Sequence, residues 1–207
     1  MSEWHFILLP MMSGWVALLE LDAVYVGQWM LSRPLFVGPL LGLICGQLPL
    51  GLSVGALFEL FALEALPVGT VIPINGAVAA GCAVLMSAGP NAVPVAVAFP
   101  AAVGIGAGHR WMESRVRQWR GALGLRALQS LEEDDRVDWE DVLLWGLGPY
   151  AALTALWVYL AVALLGPILV LLWGAAPLFL REGLDFGFRA AAGIGLGVLT
   201  HALLRKS

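Results

Sequence analysis

VLLWGLGPYAALTALWVYLAVALLGPILVLLWGAAPLFL, from Val142 to Leu180, contains no Asp, Glu, Lys or Arg. A helix needs roughly 20 apolar residues to span a hydrocarbon core of about 30 Å, so this stretch is long enough for two passes. Ala65–Gly108 is equally free of charge. Closed β-barrels also span membranes, but they are built from short strands of alternating polarity, and Leu160–Leu172 does not alternate. The expected fold is all-α: a polytopic integral membrane helical bundle.

Composition supports the same reading. Residues are 60% hydrophobic and 13% charged across 207 positions, too little polar surface to coat a soluble domain of that size. The formal charge of -4 reflects a local acidic run from Glu132 to Asp141 and gives no footprint of a nucleic-acid binder. Cys45 and Cys82 lie in apolar surroundings without metal-ligand or disulfide spacing, and read as packing residues. The amino terminus, MSEWHFILLP, has no basic region or small-residue cleavage site, so the first apolar segment is expected to stay. No polar block is long enough for a soluble core, which makes 1–207 a single membrane domain.

Broken helices are expected within that domain. The turn signal Leu48-Pro49-Leu50-Gly51 divides Pro34–Leu66 into halves of roughly 15 residues, about 22 Å each, too short to cross alone. Prolines recur at Pro67-Val68-Gly69 and Pro73-Ile74-Asn75-Gly76, where they remove backbone donors and stop a continuing helix. Short apolar segments interrupted by Gly and Pro are what a re-entrant hairpin produces, and such backbone is tolerated only within protein or beside a cavity. Gly38, Gly42 and Gly46, followed by Gly51 and Gly55, repeat every four residues and predict close helix packing.

Residues 109–141 form a connecting segment, amphipathic and then acidic. His109–Leu131 interleaves Arg110, Arg115, Arg117, Arg120 and Arg126 with apolar residues, the pattern of an interfacial helix. With Arg205 and Lys206, these arginines are expected on the cytoplasmic side. An even number of crossings should then lie between them. Val142–Leu180 predicts two helices broken near Gly166-Pro167, and Leu184–Leu204 a third, so one would be re-entrant; the parity stays open. Trp111, Trp119, Trp139 and Trp145 fit interfacial anchors, although tryptophan also stacks on sugar rings.

Ionisable residues inside apolar segments are the informative ones, because a charge at the bilayer centre costs roughly 2.5–3.5 kcal/mol to insert. Glu59 lies within Gly55-Ala-Leu-Phe-Glu-Leu-Phe-Ala-Leu63 and leads the candidates, against the alternative of a carboxyl that only joins helices. Glu64 falls about 140° around the helix from it, so the two are not a catalytic pair. Asn75 offers donor and acceptor groups suited to sugar hydroxyls, or a local cap. Asp22 and Gln28 precede Arg33-Pro34, where interfacial solvation explains them equally well. His109 and Glu113 are four apart, but two candidate ligands do not make a metal site. His201 reads as interfacial. There is no P-loop, HExxH motif or nucleophile elbow, so neither a catalytic set, a metal nor a cofactor is expected.

The stretch LDAVYVGQWMLSRPLFVGPLLGLICGQLPLGLSVGALFELFALEALPVGTVIPINGAVAAG, from Leu21 to Gly81, resembles the amino-terminal half of IIC subunits of the mannose/fructose/sorbose family of sugar phosphotransferase systems. The resemblance rests on an Asp-containing loop, then Ser32-Arg33-Pro34-Leu35, Gly38-Pro39-Leu40-Leu41-Gly42-Leu43, the Glu-Leu element in Gly55–Leu60, and Gly69 followed by Pro73-Ile74-Asn75. It implies a multi-pass subunit of the bacterial inner membrane, oligomeric, that binds a hexose and carries it inward with a IID partner. Phosphoryl transfer would take place on IIA and IIB proteins, with no catalytic role for this chain. Glu59, Asn75, Asp22 and Gln28 would then bind sugar. The chain is shorter than typical members after residue 108, which leaves an alternative: a shortened, non-transporting IIC-like interaction or regulatory membrane protein.

Overall fold

The computed structural model describes residues 3–23, 25–62, 74–134 and 139–205. Among them every element is helical. A π-helical turn, Trp4–Leu8, leads into α1 (Leu9–Leu21); α2 (Pro34–Ile44) and α3 (Leu48–Ala62) follow, then α4 (Gly76–Ala88), α5 (Val95–Asp134) and α6 (Trp139–Leu160). A second π turn, Ala161–Leu165, joins α6 to α7 (Gly166–Ala175), and α8 (Leu178–Arg205) closes the chain. Two helical stretches, Trp4–Leu21 and Leu143–Ala175, are long and apolar enough to cross a membrane. The outer faces of the second π turn and α7 carry exposed Leu164, Ile168, Leu171 and Leu172, which suit contact with lipid tails.

The helices α2 and α3 form the expected hairpin. They have 11 and 15 residues, about 16 and 22 Å at 1.5 Å per residue, so neither crosses. The turn falls at Cys45–Gln47, three residues before the sequence signal, with Gly46 at φ +70°. Pro49 instead sits in the first turn of α3, where its missing N–H leaves no bond unmade. The glycine spacing closes the hairpin: a Cβ at Gly38 would stand 2.5 Å from the Gly51 carbonyl oxygen, and one at Gly55 would stand 2.6 Å from that of Pro34. Only glycine lets the two backbones approach so closely.

The helix α4 is the centre of the bundle, with every residue from Ala77 to Met86 buried. Its sequence, GAVAAGCAVLMSA, is mostly small, so neighbours pack against its backbone; a Cβ at Gly81 would meet Val16 of α1 at 2.9 Å. Val37 and Leu41 of α2 and Val54 of α3 complete this core. Phe99 of α5 bridges Phe58 of α3 and Phe188 of α8, with ring centroids 4.5 and 5.7 Å apart.

Two sequence expectations change. The basic segment from His109 is not a separate interfacial helix: it continues α5, whose 40 residues reach about 60 Å, roughly twice the hydrocarbon thickness. The expected break at Gly166-Pro167 is also absent. A proline inside a helix lacks its donor and clashes with the carbonyl four residues back; here the π turn Ala161–Leu165 immediately precedes it, and the wider turn absorbs the misfit. The chain breaks instead at Ala176-Pro177, where Ala176 is extended at ψ 135°, as a residue before proline prefers. Arg181 covers the exposed end of α7, donating to the carbonyls of Ala176 and Gly174 at 2.9 and 2.8 Å. Two helical rods, α6 continued by α7 and then α8, lie between the arginine-rich part of α5 and Arg205; of these, only the first is long and apolar enough to cross a membrane. Glu64, Pro67-Val68-Gly69, Pro73, Lys206 and part of the acidic run lie outside the described residues.

Candidate functional site

Asn75 caps α4. Its Oδ1 accepts the Val78 backbone N–H at 2.9 Å, satisfying one of the free donors at a helix start. The amide nitrogen donates to Glu20 Oε1 of α1 at 2.6 Å and lies 3.2 Å from His109 Nδ1 of α5. His109 Nε2 lies 3.0 Å from Thr154 Oγ1 of α6, and Tyr150, one helical turn before Thr154, donates its hydroxyl to Glu20 Oε1 at 3.3 Å. Carboxylate, amide, imidazole and two hydroxyls from four helices thus meet in one network. All are buried, with Asn75 8% exposed, Glu20 5% and His109 0%.

Glycine places this network. The Asn75 N–H reaches the Gly106 carbonyl at 3.4 Å, and a Cβ at Gly106 would stand 2.7 Å from the Asn75 carbonyl oxygen. The start of α4 can lie against α5 only because position 106 has no side chain. Trp157 of α6 packs over Gly108 and donates Nε1–H to the Ile105 carbonyl at 3.2 Å, fixing α6 at the same level.

Towards the basic end of α5, Glu113 accepts from Arg117 at 2.6 and 3.0 Å. Arg120 donates to the Tyr25 hydroxyl, and its guanidinium lies 4.0 Å from the centroid of the Tyr25 ring and 5.4 Å from that of Tyr150. The two tyrosines meet edge to face at 5.2 Å. This stack ties the segment after α1 to α5 and α6.

The four residues singled out by sequence do not form one cluster. Asn75 belongs to the network. Glu59 pairs with Arg33 at 2.9 Å and accepts the Leu35 N–H at 3.3 Å, with side-chain exposures of 15% for Glu59 and 40% for Arg33; it lies at the N-terminus of α2, where a negative charge is favoured. Both carboxylate oxygens of Asp22 take backbone donors, from Trp29 and Leu31 at 2.7 Å each, so Asp22 shapes the loop between α1 and α2. Gln28 stands in that loop at φ +56°. Glu113 and His109 face different partners, Arg117 and the Asn75–Thr154 pair.

Sequence reasoning passed over Glu20, His109, Tyr150 and Thr154 as members of one site. The signals were present: Glu20 is an ionisable group at the end of an apolar run, where Glu59 is one inside such a run, and Tyr150 and Thr154 are polar residues spaced four apart in a stretch without charge.

The family model for the sorbose-specific IIC component of the phosphotransferase system matches residues 4–207. The chain belongs to that family. This IIC component is thus an integral membrane component of the permease class of sugar phosphotransferase systems. Its fold is shared with a solved structure described as "Structure of membrane protein", at TM-score 0.77 and 16% identity over 95% of this chain and 80% of that one. No curated protein matches its sequence.

Proposed function

We propose that this IIC component binds a hexose within the membrane and carries it inward for phosphorylation by a IIB partner. It works in the bacterial inner membrane as an oligomer with a IID subunit, and phosphoryl groups arrive through IIA and IIB, so this chain carries out no phosphoryl chemistry. The observation that supports the reading is the buried network around Asn75: polar groups enclosed in an apolar bundle are costly to bury, and a hydroxyl-rich solute needs such donors and acceptors to leave water. Asn75 and Glu59 bind sugar hydroxyls, and the loop shaped by Asp22 presents Gln28 to the substrate.

Uptake of labelled hexoses by vesicles holding the chain with its IID and IIB partners tests this. Wild-type uptake should fall at least about tenfold in Asn75→Ala, the loss of one or two hydrogen bonds in a site shielded from water, and measurably in Glu59→Gln, at unchanged membrane expression. Absence of uptake in an assembled complex would favour a non-transporting, regulatory IIC relative.

A further inference from the structure

The chemistry of its neighbours fixes the orientation of the Asn75 amide. A backbone N–H only donates, so the atom facing Val78 N is Oδ1; a carboxylate oxygen accepts, so the atom facing Glu20 is Nδ2. Because Nδ2 also donates, His109 Nδ1 must accept. The imidazole proton is then on Nε2, where it donates to Thr154 Oγ1. An amide side chain offers two N–H groups and two lone pairs, and among the described residues three of these four positions are occupied. The fourth is a lone pair on Oδ1.

Capping does not require this arrangement. A helix cap uses only the side-chain oxygen, and the Val78 bond already provides it. Glu20 and His109 act on the other end of the amide, from α1 and α5, and burying a carboxylate and an imidazole there is costly without a return in function. What these two groups accomplish is to prevent the amide from turning.

We propose that Glu20 and His109 are positioning residues for Asn75, holding its amide so that the remaining Oδ1 lone pair receives a hydrogen bond from one hydroxyl of the transported sugar. The inference rests on the reading of Asn75 as a sugar ligand. It adds a direction to recognition: the sugar donates and the protein accepts. A hydroxyl replaced by fluorine, which cannot donate, should be refused as firmly as one replaced by hydrogen.

The test measures half-saturation of hexose uptake, with a panel of single deoxy and deoxyfluoro hexoses, in vesicles holding the chain with its IID and IIB partners. In the wild type one ring position should show about tenfold weaker half-saturation on deoxygenation, as expected for loss of one buried hydrogen bond, and fluorine should not restore it. Glu20→Ala and Asn75→Ala should each reduce that discrimination to about threefold or less, Glu20→Gln should return most of it because its carbonyl still accepts from Nδ2, and Glu20→Ala combined with Asn75→Ala should be no worse than Asn75→Ala alone. A Glu20→Ala chain that lowers the maximal rate for every analogue with discrimination intact, or losses that multiply in the double variant, would overturn the proposal. If Glu20→Ala does not reach the membrane, Glu20→Asp decides: its carboxylate is one methylene short of Asn75, so it should lose discrimination where Glu20→Gln keeps it, and equal behaviour of the two overturns the proposal. A wild type that moves no hexose removes the transport reading itself.

Discussion

Gly51→Ala should open the α2–α3 hairpin. A Cβ at Gly51 would stand 2.9 Å from Gly42 Cα and 3.0 Å from the Gly38 carbonyl carbon, and closer still to that carbonyl's oxygen. Carbon atoms in contact rest about 3.5–4.0 Å apart, so the two helices must separate by roughly 0.5–1 Å. All the atoms met are backbone, and no rotamer change relieves them. Overpacking of this kind costs about 1–3 kcal/mol, and rigid neighbours place it at the upper end. Alanine's better helix propensity returns up to about 1 kcal/mol, which leaves a net loss of about 2 kcal/mol. For a chain of this size that lowers the melting temperature by roughly 4–8 °C. The control is Gly14→Ala in α1, where nothing lies within 4 Å of the added atom and only the propensity gain remains. Thermal unfolding of both variants in detergent micelles, followed by tryptophan fluorescence, makes the comparison. If Gly51→Ala melts no lower than Gly14→Ala, the close backbone contact is not what holds the hairpin.

Breaking the Arg33–Glu59 pair with Glu59→Gln should cost less than about 1 kcal/mol in the same melt, because the arginine is 40% exposed and exposed pairs contribute little; a larger drop would mean the pair is a structural anchor. His109→Ala strands the Asn75 amide and the Thr154 hydroxyl, a loss of about 1–3 kcal/mol, and a melt within experimental scatter of wild type would contradict the network. Arg120→Ala removes the guanidinium from two tyrosine rings, worth about 0.5–2 kcal/mol, and should make the loop after α1 more open to limited proteolysis. Unchanged cleavage would show that the stack does not restrain it.

The α2–α3 hairpin was legible in sequence because its evidence is local: glycines at fixed spacing and two apolar segments too short to cross. Pro167 misled because a proline reads as a stop, and only the residues before it, wound as a π turn, show that the helix widens around it. Of the buried network, sequence singled out Asn75 as a candidate ligand, from its helix-breaking context; Glu59, singled out from its apolar one, lies outside the network. Glu20, by contrast, sits two residues from Asp22 at the end of α1, where an interfacial reading is natural. Joining it to Asn75 and Tyr150, and Asn75 to His109, links positions 55, 130 and 34 residues apart, and no local pattern encodes such pairings. Glu59 and Asn75 share an unusual setting in sequence, yet the fold gives them different partners, an arginine for one and a buried imidazole and carboxylate for the other.

Cys45, at the tip of the α2–α3 hairpin, is partly accessible, whereas Cys82 is enclosed within α4. The unaltered chain therefore carries one partly accessible thiol where the α2–α3 hairpin turns. A membrane-impermeant maleimide, or a nitroxide label read against lipid-soluble and water-soluble quenchers, will report how deep that tip lies. Because Cys82 stays silent, the same label can follow the hairpin through a transport cycle without any engineered cysteine.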